Sequence, residues 1–241
     1  VFGSWDAEEQ GLIGSTEWGE QNTKELANAV AYFNMDVAVS GAKFGASAVP
    51  SLKEFVREVT KAVPSPKGGT VYQVWKTATD KDAVTASPQD AIGGVKREPT
   101  VQTKQDVPVG DLGSGSDYTV FLQHLGIPST DVSSTGSYGV YHSAFDNFAW
   151  FKKFADPDFS YEQQMARVYG LEILRMSNLD VLPYDYESYG KEIGAYISAA
   201  RAKAQKRWAG QSPKFDDAVE AAKAFQEAGA KIAEKQRKTN G

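Results

Sequence analysis

The sequence has no cysteine and only two histidines among its 241 residues. The absence of cysteine excludes a disulfide framework, a thiolate nucleophile and any metal site with cysteine ligands. A transition-metal site in this chain must therefore use histidine, aspartate or glutamate. No apolar run reaches the length of about 18 residues that a membrane-spanning helix requires, and the first residues lack the basic and apolar pattern of a signal peptide.

Charge is distributed unevenly along the chain, whose formal net charge is -5. Residues 191–241 carry 11 Lys and Arg against 6 Asp and Glu, so the acidic excess lies in the first 190 residues. The acidic part argues against nucleic-acid binding, and the basic residues of the last part alternate with Ala and Glu instead of forming a cationic run. We therefore expect no nucleic-acid partner.

The first 177 residues show an α/β pattern, and the remainder is predicted to be helical. Strands are predicted over residues 1–5 and 30–36, with a turn and a helix between them. Further helices are predicted over residues 51–63, 117–125, 145–156, 161–177, 184–208 and from residue 213 onward. A polar segment over residues 79–116 is predicted to be a long surface loop. The pattern predicts two units, 1–177 and 178–241, with the boundary near Leu182-Pro183.

The last predicted helix has an apolar stripe that needs a partner. Apolar residues recur there at steps of three, four or seven from Phe215 to Ile232. The stripe packs either on the preceding helix or on residues outside this sequence. At the other end, Val1 begins a strand-like segment with no preceding turn or cap, and we expect the chain to be a fragment of a longer one.

Carboxylates lie at the carboxyl ends of both predicted strands. Asp6, Glu8 and Glu9 lie within four positions, and such crowding of like charges is costly unless a cation is present. An acidic helix N-terminus, favoured by the helix dipole, is the alternative. Asp36 ends the second predicted strand, where a buried ligand and a turn-forming residue are both possible.

The two histidines occupy different contexts. His142 lies in an aromatic loop flanked by glycine, after a predicted strand, whereas His124 lies inside a short predicted helix. Taken alone, each histidine is more often structural than a ligand. His124 therefore enters no predicted site.

The segment that begins Ser4-Trp5-Asp6-Ala7-Glu8-Glu9 and runs to Trp18 resembles the signature of the glutamate carboxypeptidase II family of dizinc peptidases, which also contains the transferrin receptor. Further family motifs follow in order as Asn34-Met35-Asp36, Gly113-Ser114-Gly115-Ser116-Asp117, Phe121-Leu122-Gln123-His124-Leu125-Gly126-Ile127, Tyr141-His142-Ser143 and Val181-Leu182-Pro183. The resemblance covers essentially the whole chain. It implies an α/β fold with a zinc-exopeptidase-type mixed sheet flanked by helices, followed by an all-α region of the dimerisation type.

The resemblance also implies a set of catalytic residues. Glu9 and His142 would bind one zinc ion, and Asp36 would bind the other. Glu8 would be the general base, because a carboxylate outside the ligand set can take a proton from water and pass it to the leaving amine. Tyr141 would donate a hydrogen bond to the oxyanion, with simple aromatic packing as the alternative.

Two further sites are implied by position. Glu17 and Glu20 would contribute to a structural calcium site, and the alternative is a solvated acidic helix face. Ser114, Gly115 and Ser116 would form the loop that contacts the substrate backbone and carboxylate.

The sequence departs from the family pattern in two respects. The glutamate-specific members have arginines after the Gly126-Ile127 motif and Asn where Ser116 stands, whereas this chain has Asp131 in the arginine segment. We expect Asp131 to repel acidic side chains, so that activity on acidic substrates is weak. The family's two remaining zinc ligands, a His and a bridging Asp, match positions upstream of Val1, and we expect these 241 residues alone to be poor at dizinc catalysis.

The leading prediction is a co-catalytic dizinc exopeptidase that removes C-terminal residues from short peptides. Its predicted partners are a peptide substrate, the N-terminal portion of the same protein and a second copy bound through the helical region. A non-catalytic binding protein like the transferrin receptor and an aminopeptidase of the same clan are the alternatives. The resemblance implies the extracellular or luminal side of a membrane-anchored protein.

Overall fold

The computed structural model of the chain describes residues 1–81, 106–208 and 213–239. The strands are β1 (Tyr32–Asn34), β2 (Lys43–Ala48) and β3 (Ser129–Thr135). The helices are α1 (Ile13–Gln21), α2 (Thr23–Leu26), α3 (Lys53–Ala62), α4 (Val71–Lys81), α5 (Phe148–Trp150), α6 (Ser160–Asn178), α7 (Tyr186–Arg207) and α8 (Asp216–Thr239). A 3₁₀ turn (Pro50–Leu52) precedes α3, and π-helical turns span Val120–His124 and Phe151–Ala155. Most of the loop predicted over residues 79–116 lies outside the described residues.

The strands form a mixed sheet in the order β1-β3-β2. β1 runs parallel to β3, with Tyr32 opposite Ser129, and β2 runs antiparallel to β3, with Lys43 opposite Thr135. The mixed α/β architecture that the sequence predicts is therefore confirmed. The prediction missed β2, because Gly45 and its small neighbours give no alternating apolar pattern.

Both faces of the sheet are covered, because successive residues of a strand point to opposite sides. Phe33 packs into the main core, which α3, α4 and α6 share with β2 and β3. Its neighbour Tyr32 packs into a second cluster, where its ring stacks on Phe121 at a centroid distance of 3.9 Å. The apolar face of α3, formed by Phe55, Val56 and Val59, is buried as the sequence predicts.

The first five residues are not the buried strand that their apolar sequence predicts. They form no strand, and the side chains of Val1 and Phe2 are exposed. No strand in the described residues pairs with them, so an extended conformation gains no ladder hydrogen bonds. Only Trp5 turns inward, where its Nε1 donates a hydrogen bond to Tyr32 Oη at 2.9 Å.

The other predicted elements are present with shifted bounds. The strand predicted over residues 30–36 is only three residues long, and Asp36 lies beyond its end. The helices predicted over residues 51–63, 161–177, 184–208 and from 213 onward are confirmed within a few residues. The helices predicted over 117–125 and 145–156 contain π-helical turns, and α4 was not predicted.

The last two helices pack against each other as an antiparallel hairpin. The ring of Phe225 on α8 meets the rings of Tyr186 and Tyr189 edge-on. Part of the apolar stripe of α8 therefore packs backward on α7, one of the two predicted arrangements: Ala222 is buried, whereas Val219, Phe225 and Ile232 stay about 40% exposed. None of the helices in the described residues is both long and apolar enough to cross a membrane.

Two glycines allow this close approach of α7 and α8. A Cβ atom on Gly190 would lie 2.6 Å from Gln226 Cα, and one on Gly229 would lie 2.5 Å from the backbone nitrogen of Glu187. Both contacts are with backbone atoms, which cannot move aside without separating the helices. A Cβ atom on Gly194, also on α7, would have no neighbouring atom within 4 Å.

We therefore expect Gly190→Ala to lower the free energy of unfolding by about 1–3 kcal/mol through overpacking. Gly194→Ala is the matched control, because it makes no clash and replaces a poor helix former, and it should be neutral or stabilising by up to about 1 kcal/mol. Urea denaturation of the two variants measures both effects. Equal stabilities would contradict the close packing of the hairpin.

Candidate metal centre

The carboxylate-rich turn before α1 has an unusual backbone. Ala7 and Leu12 adopt left-handed conformations, with φ values of 53° and 60°. Backbone hydrogen bonds close the turn, from the Leu12 nitrogen to the Glu8 carbonyl at 2.8 Å and from the Ile13 nitrogen to the Ala7 carbonyl at 3.1 Å. His142 is also left-handed, with φ of 57°. Non-glycine residues in this region are strained, and such strain concentrates at functional sites.

Glu9 and His142 are in direct contact. Glu9 Oε1 lies 2.7 Å from His142 Nε2, and about half of each side chain is exposed. The ring of Tyr141 stacks on the imidazole at a centroid distance of 3.8 Å. The imidazole is thus held between a carboxylate and an aromatic ring, with one side open to solvent.

Asp36 belongs to the same site because β1 and β3 are parallel. Asp36 follows β1 and His142 follows β3, so both lie beyond the carboxyl ends of neighbouring strands, where open α/β sheets bind ligands. An open cavity of about 440 Å³ lies there, and Asp36, Glu9 and His142 contribute to its lining together with Tyr141. Among the residues that the structure describes, no three His, Asp or Glu side chains come close enough together to hold one metal ion.

Glu8 experiences the field of the surrounding carboxylates. Partial burial raises the pKa of Glu8, Asp36 and Glu9 raise it further, and His142 opposes the shift. Burial likewise raises the pKa of Asp117, with a contribution from Asp36. Crowded carboxylates of this kind favour a bound proton or a bound cation.

Tyr141 shares this environment. Burial raises the pKa of its phenol above the ordinary value, and Glu9, Asp36 and Glu8 add to the shift. Its hydroxyl therefore keeps its proton over the physiological range and can donate a hydrogen bond. The five residues predicted for catalysis and zinc binding thus lie in one electrostatic environment.

The residues predicted for calcium lie on α1. Glu17 and Glu20 are both exposed, and the Thr23 hydroxyl donates a hydrogen bond to the Glu20 backbone carbonyl at 2.6 Å. No third acidic side chain joins them within the described residues. The calcium site stays a prediction.

The predicted substrate loop presents two exposed residues and one buried one. Ser114 and Gly115 are exposed, and Gly115 has φ of 109°, which favours glycine. Ser116 is buried, and its hydroxyl accepts a hydrogen bond from Asn34 Nδ2 at 2.9 Å. Contact of this loop with a substrate stays a prediction.

Asp131 does not lie at the surface, where the predicted repulsion of acidic substrates requires it to be. Its side chain is 2% exposed in the central strand β3, and its Oδ1 accepts a hydrogen bond from Asn34 Nδ2 at 3.1 Å. A buried, hydrogen-bonded carboxylate cannot meet a substrate side chain, so the predicted repulsion of acidic substrates by Asp131 was wrong. Asp131 instead belongs to a buried polar group with Asn34, Ser116 and Glu172.

Sequence reasoning missed several residues of the cavity. Tyr138 and Asp146 line it and are joined by a hydrogen bond from the phenol to the carboxylate. Glu162, on α6, also lines the cavity. Glu162 gave no sequence signal, because it is far from every motif and its position depends on how α6 packs.

Comparison with known proteins agrees with the sequence motifs. Residues 1–156 match peptidase family M28. The chain therefore belongs to peptidase family M28, and within it to the group that resembles glutamate carboxypeptidase and the transferrin receptor.

Three relatives indicate the range of this group. The chain is 40% identical over 196 residues to probable glutamate carboxypeptidase LAMP1 of Arabidopsis thaliana. The matched residues are 80% of this chain and 25% of the relative. The chain is 35% identical to probable glutamate carboxypeptidase VP8 of Zea mays, over 84% of this chain and 25% of the relative. Aminopeptidase NAALADL1 of Mus musculus is also 35% identical, over 83% of this chain and 26% of the relative. The chain thus spans about a quarter of the length of these relatives.

The buried carboxyl of Glu172 on α6 leads to a prediction about pH. Complete burial, with Asp131 nearby, raises its pKa from 4.5 to about 8, and the Thr130 hydroxyl opposes the shift. Between pH 4.5 and about pH 8, folding is therefore accompanied by uptake of a proton at Glu172. The stabilising contribution of protonated Glu172 is complete below about pH 4.5 and is lost as pH rises through about 8.

Glu172→Gln should remove this dependence, because its amide stays neutral at every pH in the window. Relative to the variant, the wild type should lose up to about 1.4 kcal/mol of unfolding free energy per pH unit across the window. Urea titrations at a series of pH values measure the difference. The exposed Glu25→Gln is the control and should follow the wild type. Parallel profiles for wild type and Glu172→Gln would contradict the raised pKa.

Proposed function

We propose that this chain carries part of the active site of a co-catalytic dizinc exopeptidase that removes C-terminal residues from short peptides. The observation that carries the proposal is the 2.7 Å contact between Glu9 Oε1 and His142 Nε2, in the cavity that Asp36 also lines. Membership of peptidase family M28 supports it. Glu8, next to Glu9, supplies a carboxyl group outside the proposed ligand set.

The donor atoms fit zinc in kind. Zinc accepts imidazole nitrogen and carboxylate oxygen, and Glu9 and His142 offer one of each side by side. Asp36 supplies a second carboxylate. Bound zinc would polarise the peptide carbonyl and lower the pKa of water. Three ligands are too few for two ions, so we propose that the rest of the protein supplies the others.

Glu8 and Tyr141 have complementary roles in the proposal. The pKa of Glu8 is raised toward neutral pH. A carboxyl group with such a pKa can both accept a proton from water and return it to the leaving amine. Tyr141 keeps its phenolic proton and donates a hydrogen bond to the developing oxyanion. In this proposal the exposed Ser114 and Gly115 contact the substrate backbone, and the buried Ser116 holds them in place through its hydrogen bond with Asn34.

The proposal extends to ions and partners. Glu17 and Glu20 contribute to a structural calcium site. The helical region formed by α7 and α8 binds a second copy of the protein, and the peptidase region lies on the extracellular or luminal side of a membrane. Each of these statements rests on the family resemblance.

An aminopeptidase is the second candidate function, because the relative from Mus musculus is named as one. The two activities are separated by blocking one end of the substrate. With the full protein and zinc, we expect N-acetyl-trialanine, which has a free C-terminus, to be cleaved and trialanine amide, which has a free N-terminus, to resist. Cleavage of the amide alone would identify an aminopeptidase. Cleavage of neither peptide by protein that contains zinc would favour a non-catalytic, receptor-like role.

Glu8→Gln tests the general base. We expect kcat to fall about 10²- to 10⁴-fold, because the amide cannot accept the proton, while zinc content stays at the wild-type level. Glu25→Gln removes an exposed carboxylate from α2 and should leave kcat unchanged. Elemental analysis and kinetics on the same preparations measure both quantities. Full activity of Glu8→Gln would refute this assignment.

A further inference from the structure

A buried lysine lies at the junction of three segments. Lys53, at the start of α3, is 6% exposed. Its Nζ lies 2.6 Å from Asp111 Oδ1 and 2.6 Å from Glu192 Oε2 on α7. The Tyr196 hydroxyl, one turn further along α7, donates a hydrogen bond to the same Glu192 oxygen at 2.9 Å. We call Lys53, Asp111 and Glu192 the Lys53 cluster.

The Lys53 cluster strongly favours one arrangement of its three segments. A buried ammonium is costly unless carboxylates compensate it, and removing one partner of a buried pair leaves an uncompensated charge. Movement of Asp111 or of α7 away from Lys53 would create that charge. The Lys53 ammonium is buried, while about a quarter of each carboxylate side chain is exposed, so moving either carboxylate away costs more than moving one within a fully exposed ion pair.

Asp111 is the N-terminal anchor of the substrate loop together with its neighbour Gly110, whose backbone is hydrogen-bonded to Ala46 and Ala48 of β2. Asp111 lies two residues before Gly113, while Ser116 at the other end of the loop is held by Asn34. Between these anchors Ser114 and Gly115 are exposed. The position of the exposed pair therefore depends on where the two anchors are held.

An open cavity separates part of the loop segment from α7. The cavity, of about 350 Å³, is lined by Asp111 and Leu112 from the loop side and by Tyr189 and Tyr196 from α7. Because this space is open, the contact of the loop segment with α7 depends on the polar groups of the Lys53 cluster and on Tyr196.

We propose that Lys53 is a positioning residue that fixes the substrate loop to α7, so that the helical region sets the affinity of the peptidase site for its peptide. This inference rests on the proposed function, because that proposal assigns the loop to the substrate. Helix α7 then acts on the reaction through Asp111 without touching the reacting atoms.

Asp111→Asn in the full protein is the main test. The substitution keeps the shape of the side chain but removes the charge that Lys53 holds, and Lys53 keeps Glu192 as a partner. Hydrogen exchange of the Gly110 amide, which donates a hydrogen bond to the Ala46 carbonyl directly before Asp111 and serves as the measure of loop exchange, should become about tenfold faster or more, as expected from loss of a charge-assisted hydrogen bond. KM for the N-acetylated alanine tripeptide should rise several-fold while kcat changes little.

The matched control is Glu187→Gln. It removes one partner of the exposed Glu187–Lys191 ion pair on the same helix, and nothing links that pair to the loop. Loop exchange and KM should stay at wild-type values in this variant. Lys53→Met is a second test, and it should accelerate loop exchange as Asp111→Asn does if the variant folds.

The two readouts separate the inference from the proposed function. Unchanged loop exchange in Asp111→Asn would overturn the inference, whatever the kinetics. Faster loop exchange with unchanged KM would also overturn it, because the loop would then not contribute to affinity. If the wild-type protein cleaves no peptide, the proposed function fails, while accelerated exchange in Asp111→Asn alone would still establish that the Lys53 cluster holds the loop.

Discussion

The parallel pairing of β1 with β3 is the constraint on which the candidate site depends. Residues that follow two neighbouring parallel strands emerge at the same edge of the sheet. Asp36 and His142, which are 106 positions apart in the chain, meet for this reason at one cavity. The same pairing places Asn34 opposite Asp131, and Asn34 then reaches Ser116 of the substrate loop. Catalytic and substrate-contacting candidates thus share one backbone support.

The electrostatic cost of crowded or buried acidic groups is offset differently in three parts of the molecule. At the cavity, Glu8 and Glu9 are left close to Asp36 and Asp117, an arrangement that a cation would stabilise. Inside the sheet layer, Glu172 retains its proton beside Asp131. At the junction with α7, Lys53 provides the compensating charge. A proton at Glu172 and a lysine beside Asp111 and Glu192 thus offset the kind of electrostatic cost that a cation would offset at the cavity.

Sequence reasoning selected residues that the structure brings to one cavity, but it predicted their surroundings less well. Motif matches pointed to Glu8, Glu9, Asp36, Tyr141 and His142, and apolar periodicity predicted α3, α6 and α7. Patterns within one segment cannot show which segments pair. For that reason residues 1–5 were predicted as a strand although no described strand pairs with them, β2 was missed, and Asp131 was assigned to a surface. Glu162 and the Lys53 cluster depend on helix packing, which no local pattern encodes.

At His142, the left-handed backbone conformation lowers stability, while the imidazole side chain is needed for the proposed function. Any side chain in that conformation carries a conformational cost of about 1–2 kcal/mol that glycine avoids. Glycine would therefore relax the turn while deleting the imidazole that contacts Glu9. Selection for abundance and selection for activity would then prefer different residues here. His142 thus occupies a position whose backbone conformation favours glycine, and strain of this kind concentrates at functional sites.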